Sequence, residues 1–68
     1  MYYAILTSSE RRAAVLTAGA ATDNAACRQA FEAIPAGWAW NEYTTEVRQA
    51  ASRGPLLAEL QATWSILN

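Results

Sequence analysis

Histidine and lysine are missing from this 68-residue chain, and cysteine occurs once, at Cys27. Without histidine the chain lacks the commonest general base and zinc ligand. A single cysteine excludes an internal disulfide, and with no imidazole beside it Cys27 reads as a small apolar side chain, not a nucleophile. The three glycines stand apart at Gly19, Gly37 and Gly54, so no glycine-rich loop can cradle a phosphate. Glu42 and Glu46, the nearest thing to a carboxylate pair, have no third ligand close by in sequence and make a poor metal site. These gaps point away from catalysis: no enzymatic activity, metal or cofactor is expected.

Long apolar runs are absent too. No segment approaches the ~20 residues that span a bilayer. In the N-terminal stretch MYYAILTSSERR the apolar run is short and the arginines follow it, the reverse of a signal peptide. The expectation is a cytoplasmic chain in a reducing compartment. Positive charge is scarce and scattered. Arg11, Arg12, Arg28, Arg48 and Arg53 stand against six acids, for a net charge of -1. Nucleic-acid binding draws its affinity from clustered basic groups that displace counterions, so DNA or RNA is disfavoured as a partner. Arginine without lysine, beside abundant alanine, fits the coding bias of a GC-rich bacterial or phage genome.

The 53% hydrophobic content overstates the core, because sixteen of those residues are alanines. A single small domain over residues 1–68 follows, with a core that supplies no more than ~3–5 kcal/mol unless a second copy completes it.

Punctuation along the chain marks off four helices. Thr7-Ser8-Ser9-Glu10 matches a capping box, and Ala13, Leu16, Thr17 and Ala20 follow at helical spacing, predicting a helix over about 8–20. Thr22-Asp23-Asn24 starts a second over about 23–35, with Cys27, Ala30, Phe31 and Ile34 as its apolar stripe and Pro35 as its stop. Asn41 is placed to cap a third over about 41–53, with Tyr43, Val47, Ala50 and Ala51 inward. Gly54-Pro55 then separates it from a fourth over about 55–67, lined by Leu57, Leu60, Trp64 and Leu67. The expected fold is all-α, a compact bundle of three to four short helices. The alternative is a small α+β fold, because YYAILT and WAWNEYT have strand composition and could pair as strands at about 2–7 and 38–44.

What the chain has in plenty is aromatic surface in one place, the stretch GWAWNEY at 37–43. Successive helical residues turn by ~100°, so Trp38 and Trp40 would face nearly opposite sides. Trp40 and Tyr43 then join the Val47 stripe as core, while Trp38 leans outward beside a ridge of Glu42 and Glu46. Arg11 and Arg12 open the first helix against its dipole. They read either as pairs for nearby acids such as Glu42 or Glu46, or as a fork offered to an acidic partner. Trp and Arg are residue types that dominate interface hot spots. The expected partner-binding surface is therefore Trp38, Glu42, Glu46, Arg11 and Arg12, and the expected partner is another protein.

On this reading the chain is a small non-catalytic protein that acts by occupying a partner's surface. Phage or mobile-element inhibitors (anti-CRISPR-like proteins among them), antitoxins and immunity proteins share its profile of size and composition, without a shared motif. Two alternatives stand beside it. One is a self-associating structural or assembly subunit of a virion or accessory complex, suggested by the thin core and alanine-rich helices. The other is a helix-turn-helix regulator over residues 9–34, with Asn24, Arg28 and Gln29 as base readers. Asp23 and Glu32 flank that face and argue against it.

Overall fold

In the computed structural model, which describes residues 1–67, a four-stranded sheet carries one helix on each face. The chain runs β1 (Tyr2–Ser8), β2 (Ala13–Leu16), α1 (Asp23–Ala33), β3 (Thr44–Gln49), α2 (Arg53–Gln61) and β4 (Ser65–Ile66). Across the sheet the order is β3-β1-β2-β4. β1 is antiparallel to both β2 and β3, and β4 is parallel to β2. The connection from β2 to β3 therefore crosses the sheet one way, and that from β3 to β4 crosses it the other way. Two such crossovers of one hand must lie on opposite faces, and the helices do. Ala30 of α1 packs with Ala4, Leu6, Ala13 and Val15. Leu56 and Leu60 of α2 pack with Tyr3, Ile5 and Leu16 on the other face.

The small α+β fold replaces the expected helical bundle. Residues 8–20 hold the end of β1, a turn and β2, not a helix. In β2 (AAVL) every residue is buried, alternately against α1 and α2, so its apolar run meets both helices and needs no helical stripe. The Thr-Ser-Ser-Glu signal serves the turn instead: Ser8 Oγ accepts from the Arg11 N–H (3.4 Å), and Arg12 closes the turn with φ 52°. Residues 9–34 thus contain one helix, and the two-helix geometry of a helix-turn-helix is not there.

The second predicted helix exists as α1, and Thr22 caps it, its Oγ1 accepting from the Ala25 N–H at 3.1 Å. Its inward face is nonetheless rotated from the expected stripe. Ala30 and Ile34 of that stripe pack on the core with Ala33, and Ala26 is buried, while Cys27 and Phe31 are exposed. Small side chains let the helix sit close to the strands, and a phenyl ring at that contact would hold it off.

The third predicted helix, 41–53, is a turn followed by β3. Thr44, Thr45 and Val47 are β-branched, and Thr45 and Val47 pair with Leu6 and Ala4 on the α1 side of the sheet. The fourth, 55–67, begins two residues earlier and ends at Gln61, after which β4 pairs beside β2. Gly54 and Pro55 lie inside the first turn of α2, where a missing N–H costs no intrahelical bond. Of the alternative strand pair, 2–7 corresponds to β1. The segment 38–44 is a loop, and the strand starts at its last residue.

Three polar contacts fix the loops. The Gln29 side chain donates to the Gly19 C=O (2.8 Å) and accepts from its N–H (3.1 Å), tying α1 to the end of β2. Arg53 donates to the carbonyls of Leu16 (2.9 Å) and Thr17 (3.0 Å), anchoring the start of α2. Thr17 Oγ1 accepts from the Ala4 N–H (2.9 Å) inside the core. No helix is long and apolar enough to cross a membrane among the described residues.

Candidate functional site

The connection between α1 and β3, residues 34–43, is a loop held at several points. Pro35 stops α1, and the Trp38 N–H donates back to the Pro35 C=O (3.1 Å). A second turn follows in which the Glu42 N–H donates to the Ala39 C=O (2.9 Å). Gly37, at φ 89°, supplies the left-handed conformation inside the first turn. Trp38 is the plug of this loop. It is 8% exposed, packs with the α1-side core, and lies 5.9 Å from the Tyr43 ring at a tilt of 39°.

Arg11 closes the assembly from the β1–β2 turn. Its guanidinium lies 5.8 Å from the Trp38 ring centroid, within cation–π range. One Nη donates to the Gly37 C=O (3.1 Å) and to Glu42 Oε2 (2.8 Å), and Nε reaches the same Oε2 at 3.3 Å. The hydrogen bond from Arg11 is the main reason the Glu42 carboxyl is held below the ordinary carboxylate range, with the Arg11 charge adding to it and desolvation opposing. The chain thus uses Arg11 to buckle its own loop.

Inside the second turn stands Trp40, 83% exposed. Trp38 and Trp40 have therefore exchanged the expected places. In helical spacing Trp40 would share the Val47 face. In the observed loop the turn after Pro35 drives Trp38 inward, and Trp40 is left on the far side. Tyr43 stays with the core, partly buried.

The structure brings Arg11, Trp38 and Glu42 together. Arg12 is exposed in the adjoining turn. Glu46 is elsewhere: it sits on β3 opposite Ile5, on the α2 side of the sheet, and accepts from Arg48 Nε at 2.8 Å. Glu42 and Glu46 form no common ridge, because position 42 belongs to a turn and position 46 to a strand. Arg48 also reaches Glu59 of α2 (3.0 Å), and both acids raise its pKa, the Glu59 hydrogen bond most.

Two exposed rings escaped the sequence reading, Trp40 and, at 79% exposure, Phe31. The run Ala26, Ala30, Ala33 was the available signal for Phe31, since it marks a better inward face than the one containing the ring. For Trp40 no local signal existed.

A groove of about 230 Å³ lies between α2 and β3, with Ile5 and Thr7 as floor and Leu60, Trp64, Glu46 and Arg48 among its walls. It is smaller than the usual small-molecule site of ~300–1,000 Å³. Among the described residues no group of three His, Cys, Asp or Glu side chains is placed to hold a metal ion. No protein-family model, curated protein or solved structure matches the chain.

Proposed function

We propose that this chain is a small non-catalytic protein-binding protein that occupies a partner's surface, with Trp40 as its anchor. The observation that carries the reading is the pairing of a nearly fully exposed tryptophan with a loop that is otherwise pinned. An indole left in water forgoes ~1.5–3 kcal/mol of burial that folding could have used, and this core can scarcely spare it. Tryptophan is also the side chain most enriched at binding hot spots. Trp38, the Arg11–Glu42 pair and two turn hydrogen bonds hold the loop, so little ordering entropy remains to be lost on binding. Of the residues named from the sequence, Trp38, Arg11 and Glu42 then support the anchor. An inhibitor, antitoxin or immunity-type role is compatible with this mode of action.

The test is affinity capture from a bacterial lysate with immobilised wild type and Trp40→Ala. Proteins retained by the wild type should be lost from the variant, with unchanged circular dichroism and Tm. Equal retention by both chains, or retention by neither, overturns the proposal. Trp38→Ala is unsuitable as the probe because it removes core.

A further inference from the structure

β3 is the last strand of the sheet on its side, and among the described residues nothing pairs with its outer edge. Which backbone groups line that edge follows from the ladder. The Ala50 N–H donates to the Met1 C=O at 3.0 Å. Backbone groups alternate in direction along an antiparallel strand, so Thr44, Glu46 and Arg48 turn theirs toward β1. Thr45, Val47 and Gln49 turn theirs outward. The neighbouring ladder agrees: the Thr17 N–H donates to the Ala4 C=O (3.1 Å), which sends Ala4 and Leu6 toward β2 and leaves Tyr3, Ile5 and Thr7 for β3.

We propose that this edge pairs with the same edge of a second copy, antiparallel about a two-fold axis through Val47. The pattern of the strand selects that register. Outward-turned residues must face outward-turned residues, so the axis passes through a residue position, and three positions keep most of the strand paired. An axis through Glu46 sets two carboxylates face to face, and an axis through Arg48 sets two guanidiniums face to face. Like charges directly opposite one another are destabilising in a sheet. An axis through Val47 instead sets Glu46 opposite the partner's Arg48, and Arg48 opposite the partner's Glu46. Val47 then meets its own copy and Thr45 meets the partner's Gln49.

In this register Thr45, Val47 and Gln49 exchange about six backbone hydrogen bonds with the second copy. Glu46 and Arg48 occupy the non-hydrogen-bonded positions, where opposed side chains approach most closely. Both already line the α2-side groove, where Arg48 pairs with Glu46 and with Glu59, so the second copy extends an existing ion-pair network. Of the devices that blunt sheet edges, β3 has only its charged side chains, Glu46 and Arg48, and this register sets each opposite its complement. The strand has no proline, no lysine and no bulge in its six paired positions. The two sheets become one continuous sheet, with the two Thr44 residues roughly 20 Å apart at 3.4 Å per residue. Each Trp40 loop leads into its own Thr44, so the dimer presents two anchors at opposite ends of the paired strands.

The test leaves Trp40 untouched, so its outcome is independent of the capture experiment. Sedimentation equilibrium from micromolar to millimolar concentration should show 7.4 kDa rising to twice that mass. The Thr45, Val47 and Gln49 amides should gain exchange protection over the same range. Glu46→Arg and Arg48→Glu should each weaken association at least tenfold. An equimolar mixture of the two should recover the dimer mass, because each variant then meets the opposite charge, and the double exchange Glu46→Arg/Arg48→Glu should dimerise like wild type. A wild type that stays at 7.4 kDa at millimolar concentration overturns the proposal. So does a mixture of the single variants that associates no better than either alone.

Discussion

β1 and β3 are hydrogen-bonded neighbours, yet Tyr3 to Leu6 are buried on both faces of the sheet and no residue of β3 is fully buried. β1 has a strand on each side and a helix over each face. β3 has one strand beside it, α1 partly over one face, and an open groove on the other. Their compositions match these places: YYAILTS is nearly continuous in apolar residues, and TTEVRQ alternates around one valine. Interior and margin meet again within three residues of the loop, where Trp38 is 8% exposed and Trp40 83%. In so small a fold the same residue type serves opposite ends a few ångströms apart, and position decides which.

The largest effect should come from testing that contrast directly. Trp38→Ala should cost ~3–5 kcal/mol, close to the whole stability expected of a core this size, and leave the chain largely unfolded by circular dichroism. Trp40→Ala should move stability by no more than ~0.5 kcal/mol. Comparable urea midpoints for the two variants would break the comparison between interior and margin.

The glycines sharpen it. Gly19 has φ 105°, and a Cβ there would lie 2.6 Å from Tyr3 Cε1 in the core. Gly19→Ala combines backbone strain with overpacking, each worth ~1–3 kcal/mol, so a loss on the order of 2–4 kcal/mol is expected. Gly37, at φ 89°, has nothing within 4 Å of such a Cβ. Gly37→Ala should carry only the left-handed penalty of ~1–2 kcal/mol. Thermal unfolding of the pair measures the difference, and equal losses would mean that the Tyr3 contact is immaterial.

The smallest effect concerns Glu42. Its folded pKa is lowered, so its contribution is present above the ordinary carboxylate pKa of about 4.3. That contribution fades as pH falls through the lower folded value. The stability difference between wild type and Glu42→Gln should be flat near neutral pH and shrink below about pH 4. A difference that grows on acidification would contradict the Arg11 pairing.

How much of this was legible in the chain differs from element to element. Thr22-Asp23-Asn24 and Pro35 bracket α1 because capping and proline chemistry act within a few residues. The pairing of Arg11 with Glu42 was also among the readings open from charge alone. β2 was misread because Ala13, Leu16, Thr17 and Ala20 happen to repeat at helical spacing, while the true partners of Ala13 and Leu16, namely Ser8 and Ile5, lie across a turn. β3 was misread because Asn41-Glu42 imitates a helix start, whereas Thr45 and Val47 gain more by pairing beside Leu6 and Ala4. The candidate surface shifted for the same reason. Trp40 is exposed because of where the loop turns, and Glu46 faces α2 because of a strand register, and neither fact is local.

By itself the sequence determined the limits: no histidine chemistry, no internal disulfide, little large apolar surface beside many alanines, and the start of α1 at its Thr22 cap. Tertiary structure decided the rest, namely which apolar runs became strands, which tryptophan became the plug, and which backbone edge was left uncovered. Propensity and capping energies of a kilocalorie or so act along a few residues. The burial of a whole strand between two helices is larger and couples residues far apart in the chain, so where the two conflicted, burial prevailed.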